Sequence, residues 1–484
     1  MRMKESPIQA PVISEDWLAV AIGGVIFLLS LAPFAGIDLL GWSASTRIWM
    51  DLGKSVAAIA KGSALPGIAS LILTFAFVLA LMSTGARFLG AHPVRFAGAF
   101  TLVFWISYAC WVAGHYAYIA ATSDKLSGFG IAWSLNLTGE AGYIIALILG
   151  LVIANFFKGF AGRIKEATRP EWYIKTAIVI MGAALGVKAA ESLGLAQAVI
   201  FRGVCAIIEA YLIYWAAVYF VARRWFGFSR EWAAPLASGI SICGVSAAIA
   251  TGAAIRARPV VPIMVSSLVV IFAVVELLLL PFLAQAFLHH EPMVAGAWMG
   301  LAVKTDGAAM ASGAITDALI RAKALEADGI AYKEGWILMA ATTTKIFIDV
   351  FIGVWAFILA LIWAGVIEKR AGDKVRAIEI WQRFPKFVIG YLVTFLLLLV
   401  VCSMNPEAIP AAKTGADEAN IFRQLFFVLT FFCIGVVTDF RKLWQEGIGR
   451  LAAVYVVSLF GFVIWIGLAI SWIFFHGMKP PLAG

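Results

Sequence analysis

Lys304 and Asp306 stand about ten residues inside an apolar segment of membrane-spanning length. A charge at that depth costs about 3 kcal/mol by insertion scales unless it is paired or hydrated. Lys304 offers a counter-charge for an anionic substrate, with Asp306 as its partner or as a proton or cation site. A structural ion pair steadying an unwound segment would use the same two residues. Thr305 and Gly307 complete that stretch. A second constellation is Ser241, Cys243, Gly244 and Ser246. A helix broken there would turn freed N–H groups and its positive end toward an anion, and the two serine hydroxyls would add donors. A tight helix-packing face is the plainer alternative. Cys243 reads as a small apolar filler, since no basic neighbour in sequence would make it a nucleophile.

Further along, Thr342, Thr343, Thr344, Lys345 and Asp349 form a polar stripe. Lys345 and Asp349 are spaced i, i+4 and can pair on one helix face, lining a pathway or simply satisfying each other. Glu209 and Glu276 are lone acids in apolar segments. Each is either a proton-coupling site or a protonated acid hydrogen-bonded within a helix interface.

The elements that must position these groups are helices in a membrane. The chain is 62% hydrophobic and 13% charged over 484 residues, against about 25% charged in soluble domains. Its apolar runs are long, without the ten-residue alternation of barrel strands. The expected class is an all-α polytopic membrane protein of about thirteen spans. They fall near 17–40, 64–89, 96–120, 140–157, 173–190, 197–221, 232–255, 262–288, 295–315, 336–366, 386–404, 421–438 and 451–476. Trp42–Lys61 reads as an interfacial amphipathic helix, and Thr316–Glu334 as a short extramembrane helix. The polar start of the chain does not read as a cleaved signal peptide.

Two of these segments echo each other. Ser246–Ala253 reads SAAIATGA and Gly307–Ala314 reads GAAMASGA. Paired, interrupted small-residue segments point to the substrate site of a carrier built from inverted repeats, with two broken helices crossing near the midplane. A fainter echo joins Met181–Val187 and Cys433–Val436.

The net charge of +9 fits basic cytoplasmic loops, not nucleic-acid binding. Basic clusters at 158–169, Arg223–Arg224, 369–386 and Arg441–Lys442 place the N-terminus in the cytoplasm. Arg256 and Arg258 break that rule unless the segment before them fails to cross. Five scattered cysteines and five histidines form no spacing typical of a disulfide framework or zinc site. No HExxH, nucleophile elbow or cofactor fingerprint suggests an enzyme.

The run Ala237–Ala257 (ASGISICGVSAAIATGAAIRA), with Gly300–Ile315 and Ile180–Leu195, resembles the YeiH-like sulfate exporter family from about Gly139 onward. The resemblance implies a carrier fold related to bile-acid/sodium symporters. Residues 1–120 then read as an added three-span membrane module, and 139–484 as the transporter core. Where many members carry a His-Glu pair, this chain has Lys304-Thr305-Asp306, a fixed positive charge in place of a titratable group.

The expectation is therefore a secondary transporter in the cell inner membrane. It would export sulfate or a related oxyanion or sulfonate by alternating access. Ser241–Ser246 and Lys304–Gly307 would form the site, and Glu209, Glu276, Lys345 and Asp349 would serve coupling or the pathway. No cofactor or metal is expected beyond coupling to protons or sodium, and a homodimer is the expected assembly. An anion channel, or a carrier of organic carboxylates, is the alternative.

Overall fold

The computed structural model describes residues 13–483 apart from 61, 122–124, 136, 138, 140, 192, 259, 364–366, 368–384, 440 and 442–448. The side chains of Val245, Ser246, Ile263, Ser267, Val270, Asp306, Gly307, Val350 and Gly353 also lie outside the description. Much of the basic cluster at 369–386, and Lys442, therefore fall beyond what is described.

The long helices, in chain order, are α1 (Glu15–Leu29), α2 (Gly67–Phe88), α3 (Pro93–Gly114), α4 (Ala141–Phe156), α5 (Pro170–Glu191) and α6 (Leu193–Trp225). Two short pieces follow, α7 (Arg230–Ser238) and α8 (Gly244–Ala254), then α9 (Val260–Leu288). Next come α10 (Pro292–Ala302) and α11 (Asp306–Asp328), and then α12 (Trp336–Ile362), α13 (Lys386–Met404), α14 (Ile409–Val437) and α15 (Gly449–Phe475). Local signals set several starts. Ser14 caps α1 through the Trp17 N–H, with Glu15 and Asp16 in its first turn. Pro93 opens α3 and Pro292 opens α10, where a missing N–H costs nothing. Asp317, a buried acid in α11, caps α12 from a distance, accepting from the N–H groups of Gly335, Ile337 and Leu338 at 3.0, 3.0 and 3.3 Å.

Contacts divide the chain into two compact units. One holds residues 1–121, 125–191 and 386–437; the other holds 122–124, 192–385 and 438–484. This packing division does not run at residue 120. In the first unit α5 packs on α13, and α14 on α4 and α5. Glycines set these crossings: a Cβ on Gly182 would stand 2.6 Å from the Tyr391 carbonyl oxygen, and one on Gly150 2.9 Å from the Cα of Gly435. The fainter sequence echo is thus a helix-packing device.

In the second unit, two segments turn back without crossing. Glu231, in the first turn of α7, accepts from the Arg258 backbone N–H at 2.8 Å and from its Nε at 3.0 Å. Arg258 lies just past the end of α8, so α7 and α8 form a hairpin that begins and ends on one face. Likewise His290, just before α10, has its Nδ1 3.5 Å from Oδ2 of Asp328, the last residue of α11. Between the hairpins runs α9, 29 residues long, about 43 Å at 1.5 Å per residue. That exceeds the roughly 30 Å hydrocarbon core, so the hairpins enter from opposite faces. Their tips meet: the Gly244 N–H donates to the Lys304 carbonyl at 2.8 Å.

This geometry corrects the count of thirteen. Among the described residues ten helices are long and apolar enough to cross, or eleven with Ala141–Phe156 and the bent Lys158–Ala167 taken as one span. The other two expected spans, 232–255 and 295–315, are the hairpins. Hydropathy registers an apolar segment but not its reversal of direction. The extramembrane helix expected at 316–334 is instead a continuation of α11 up to Asp328. The amphipathic helix expected at Trp42–Lys61 is a small antiparallel hairpin, β1 (Ala44–Thr46) with β2 (Val56–Ala58), pairing Ser45 with Ala57. Asp51 accepts from the Gly53 N–H at 2.9 Å and sets the reversal.

Candidate functional site

Both half-helices that begin at the hairpin tips, α8 at Gly244 and α11 at Asp306, turn their N-termini inward. Each N-terminus carries about half a positive charge from its aligned peptide dipoles. At the first tip a π-helical turn, Gly239–Cys243, delivers the chain into Gly244. Gly244 is required by proximity, since a Cβ there would stand 2.6 Å from Val269 Cγ1 and 2.9 Å from Thr305 Cγ2. At the second tip Val303 is extended, and Thr305 caps α11 by accepting from the Ala308 N–H.

Lys304 sits in that gap and is fully buried. Its ammonium lies 4.3 Å from the centre of the Tyr214 ring and donates to the Leu301 carbonyl. Its backbone N–H donates to Glu276 Oε2 at 3.1 Å, while Tyr455 donates to Glu276 Oε1 at 3.2 Å. Glu209 and Glu276 are within electrostatic reach of Lys304, and Lys345 is the neighbouring cation. The Lys345 ammonium joins the two tips, donating to the Ile242 carbonyl at 2.8 Å and to the Lys304 carbonyl at 3.2 Å.

Glu209 occupies a π-helical stretch of α6 together with Tyr214. The Tyr214 hydroxyl donates to the Val463 carbonyl and stands beside the Glu209 carboxyl, within electrostatic reach of Lys304. Gly467 makes room for this corner: a Cβ there would lie 2.7 Å from the Tyr214 oxygen and 3.3 Å from Glu209 Oε1. Ser241 is buried, its hydroxyl without a hydrogen-bond partner among the described residues. An apolar cavity of about 350 Å³ adjoins the cluster, with Glu276, Leu280, Phe287, Trp298 and Phe460 among its walls. Trp298 is held there by donating to the Ile464 carbonyl at 2.9 Å.

The structure thus brings Ser241, Cys243, Gly244, Lys304 and Thr305 to the two tips, with Glu209, Glu276 and Lys345 around them. Asp349 is buried one turn beyond Lys345 on α12. Gly244 and Thr305 act mainly through backbone approach and capping. Ser246, Asp306 and Gly307 sit in the first turns of α8 and α11, their side chains outside the description. Tyr214, Tyr455, Trp298 and Gly467 were missed by sequence reasoning. Aromatic residues and glycines abound in membrane helices, and nothing in their spacing marks these four.

A family model described as "Conserved hypothetical protein 698" matches residues 117–454. The chain is 44% identical over 474 residues to a UPF0324 membrane protein of Nitrosomonas europaea, covering 97% of each. It is 53% identical over 163 residues to an uncharacterized protein of Archaeoglobus fulgidus, covering 30% of this chain and 87% of the relative. A UPF0324 membrane protein of Rhodopirellula baltica is 30% identical over 385 residues, 78% of this chain and 60% of the relative. No solved structure matches the chain.

Proposed function

The chain belongs to the conserved hypothetical protein 698 family of UPF0324 membrane proteins, and from that premise we propose that it is a secondary transporter of a small anion. The observation that carries the reading is the meeting of two inward half-helix N-termini at the buried lysines Lys304 and Lys345. Backbone N–H groups and a fixed ammonium together suit a tetrahedral oxyanion, whose oxygens need several donors at once. Opposed hairpins whose tips touch suit alternating access, because parting either tip opens the site to one face only. Glu209, fully buried beside Tyr214 and within electrostatic reach of Lys304, suits proton or cation coupling, since a buried carboxylate is costly unless protonated or paired.

Sulfate or a sulfonate, carried outward, is the substrate reading that follows the resemblance to the sulfate exporter family. The apolar cavity beside Glu276 favours a second reading, an organic anion with an apolar body. In our topology the N-terminus lies in the cytoplasm of a plasma-membrane protein. The first hairpin then returns Arg256 and Arg258 to the cytoplasmic face, which removes the exception to the positive-inside rule.

The test is radiolabelled sulfate counterflow in proteoliposomes, wild type against Lys304→Ala, each checked for monodispersity. Saturable counterflow that falls at least about 100-fold in the variant supports a carrier with Lys304 in its path. Counterflow unchanged in the variant removes the site. Conductance far above carrier rates replaces the carrier with a channel. Absent sulfate counterflow, with counterflow of an arenesulfonate or carboxylate, moves the substrate to the organic class.

A further inference from the structure

The inward ends of α8 and α11 are positive; the outward end of α11 is negative and meets the end of another helix. The last residue of α9 is Leu288 and the last of α11 is Asp328, and neither helix has a basic residue in its final turn. Two helix C-termini therefore point carbonyl dipoles at one place with no built-in cation to answer them. Three side chains with metal-ligating atoms stand there: His289, His290 and Asp328, each offering one such atom within 4.8 Å of the others.

The spacing is suited to a metal. The His290 Nδ1 and Asp328 Oδ2 atoms are 3.5 Å apart. Ligands of a tetrahedral zinc with bonds of about 2.0–2.1 Å are separated by roughly 3.3–3.4 Å. The two imidazole centres lie 3.8 Å apart, nearer than the roughly 5 Å of two rings on one tetrahedral metal, so binding would swing one ring outward; the Nδ1 of His289 is buried without a hydrogen-bond partner among the described residues. The scaffold is held on both sides. Next in the chain, Glu291 accepts from the Gly477 N–H at 2.9 Å and pairs with His476 at 3.1 Å. Asp328 precedes Gly329, whose left-handed backbone (φ 65°) closes α11.

We propose that His289, His290 and Asp328 form a binding site for a divalent transition metal of the zinc class. Two imidazole nitrogens and one carboxylate oxygen select zinc, nickel or copper over calcium and magnesium, which prefer all-oxygen shells. A solvent molecule fills the fourth position of a tetrahedron. The metal would tie the end of α9 to the end of α11, and so hold the outer end of the hairpin whose tip carries Lys304. The site itself stands whether or not the chain carries anions, because its test reads metal binding alone.

The test uses the full chain in detergent, tag removed and stripped with chelator, titrated with Zn²⁺ by calorimetry. One saturable Zn²⁺ per chain is expected, with affinity falling at least about tenfold in His290→Ala and in Asp328→Asn, and unchanged in His476→Ala. The thermal midpoint should rise with Zn²⁺ in the wild type and not in those two variants. Cobalt added to the stripped wild type should give the visible bands of a tetrahedral nitrogen–oxygen site, a readout that needs no variant. Absence of a saturable site and of those bands, binding indifferent to both substitutions, or equal competition by Ca²⁺ would each overturn the proposal.

Discussion

The first hairpin reaches its tip through a π-helical turn and Gly244, where a side chain would strike Val269 and Thr305. The second reaches its tip through extended Val303 and the cap Thr305, with Lys304 between them. One tip contributes backbone groups and the hydroxyl of Ser241; the other contributes a charge. The two are similar in path and opposite in direction, yet unequal in chemistry. The opposed hairpins supply two converging half-helix dipoles, and Lys304 lies on one tip only. The hairpins also differ from the glycine-rich crossings of the first unit. There Gly150, Gly182 and Gly435 bring unbroken helices close, so the same small residues serve packing in one unit and interruption in the other.

The comparison breaks most completely at the group that joins the tips. Lys345→Met should remove the ammonium from the carbonyls of Ile242 and Lys304. The Lys304 carbonyl keeps the Gly244 N–H, but the Ile242 carbonyl loses this donor at a cost of about 1–3 kcal/mol, so we expect a fall in thermal midpoint in detergent and loss of transport. A midpoint equal to that of the wild type would mean that the tips do not depend on this lysine. Gly244→Val should come next, because the clash lies in the contact between hairpins. Transport should fall at least about tenfold, whereas Gly194→Ala, at an exposed helical glycine with open space around it, should leave transport nearly intact.

A smaller effect sharpens the division of labour. Gly467→Ala would press on Tyr214 and Glu209 without touching either tip. It should alter coupling, read as the dependence of uptake on an imposed proton or sodium gradient, more than substrate affinity. Equal loss of both would fold Glu209 into the binding site itself. Ser241→Ala removes one unpartnered hydroxyl, so apparent affinity should weaken a few-fold, by about 1 kcal/mol, with the thermal midpoint unchanged.

The smallest effect belongs to the mouth of the first hairpin. Hydrogen bonds from Arg258 hold the Glu231 carboxyl below the usual carboxylate range. A lowered folded pKa contributes stability above the unfolded value of about 4.3, and that contribution is lost as pH falls through the lowered one. Arg258→Ala should therefore change the thermal midpoint little at neutral pH and not at all in acid. A large neutral-pH effect would show that closing this mouth governs the whole hairpin.

Composition and apolar run length were enough to read an all-helical membrane protein, and repetition of small residues was enough to mark the two interrupted segments. Lys304, Glu209 and Glu276 were legible because a charged residue inside an apolar run is expensive wherever it lies. Direction was not legible. A segment of 24 or 21 apolar residues, at 232–255 or 295–315, has the same hydropathy whether it crosses or turns back. The decision rests on contacts between distant residues, Glu231 with Arg258 and His290 with Asp328. Partnership was hidden for the same reason. The pairing of Lys304 with Asp306 expected from sequence lies outside the described side chains, and nothing in the sequence pointed to Tyr214, 90 positions away, against which the fold set the Lys304 ammonium. Sequence alone determined which residues must be reconciled with the membrane; tertiary structure alone decided what reconciles them, because burial is a property of each residue and pairing a property of two.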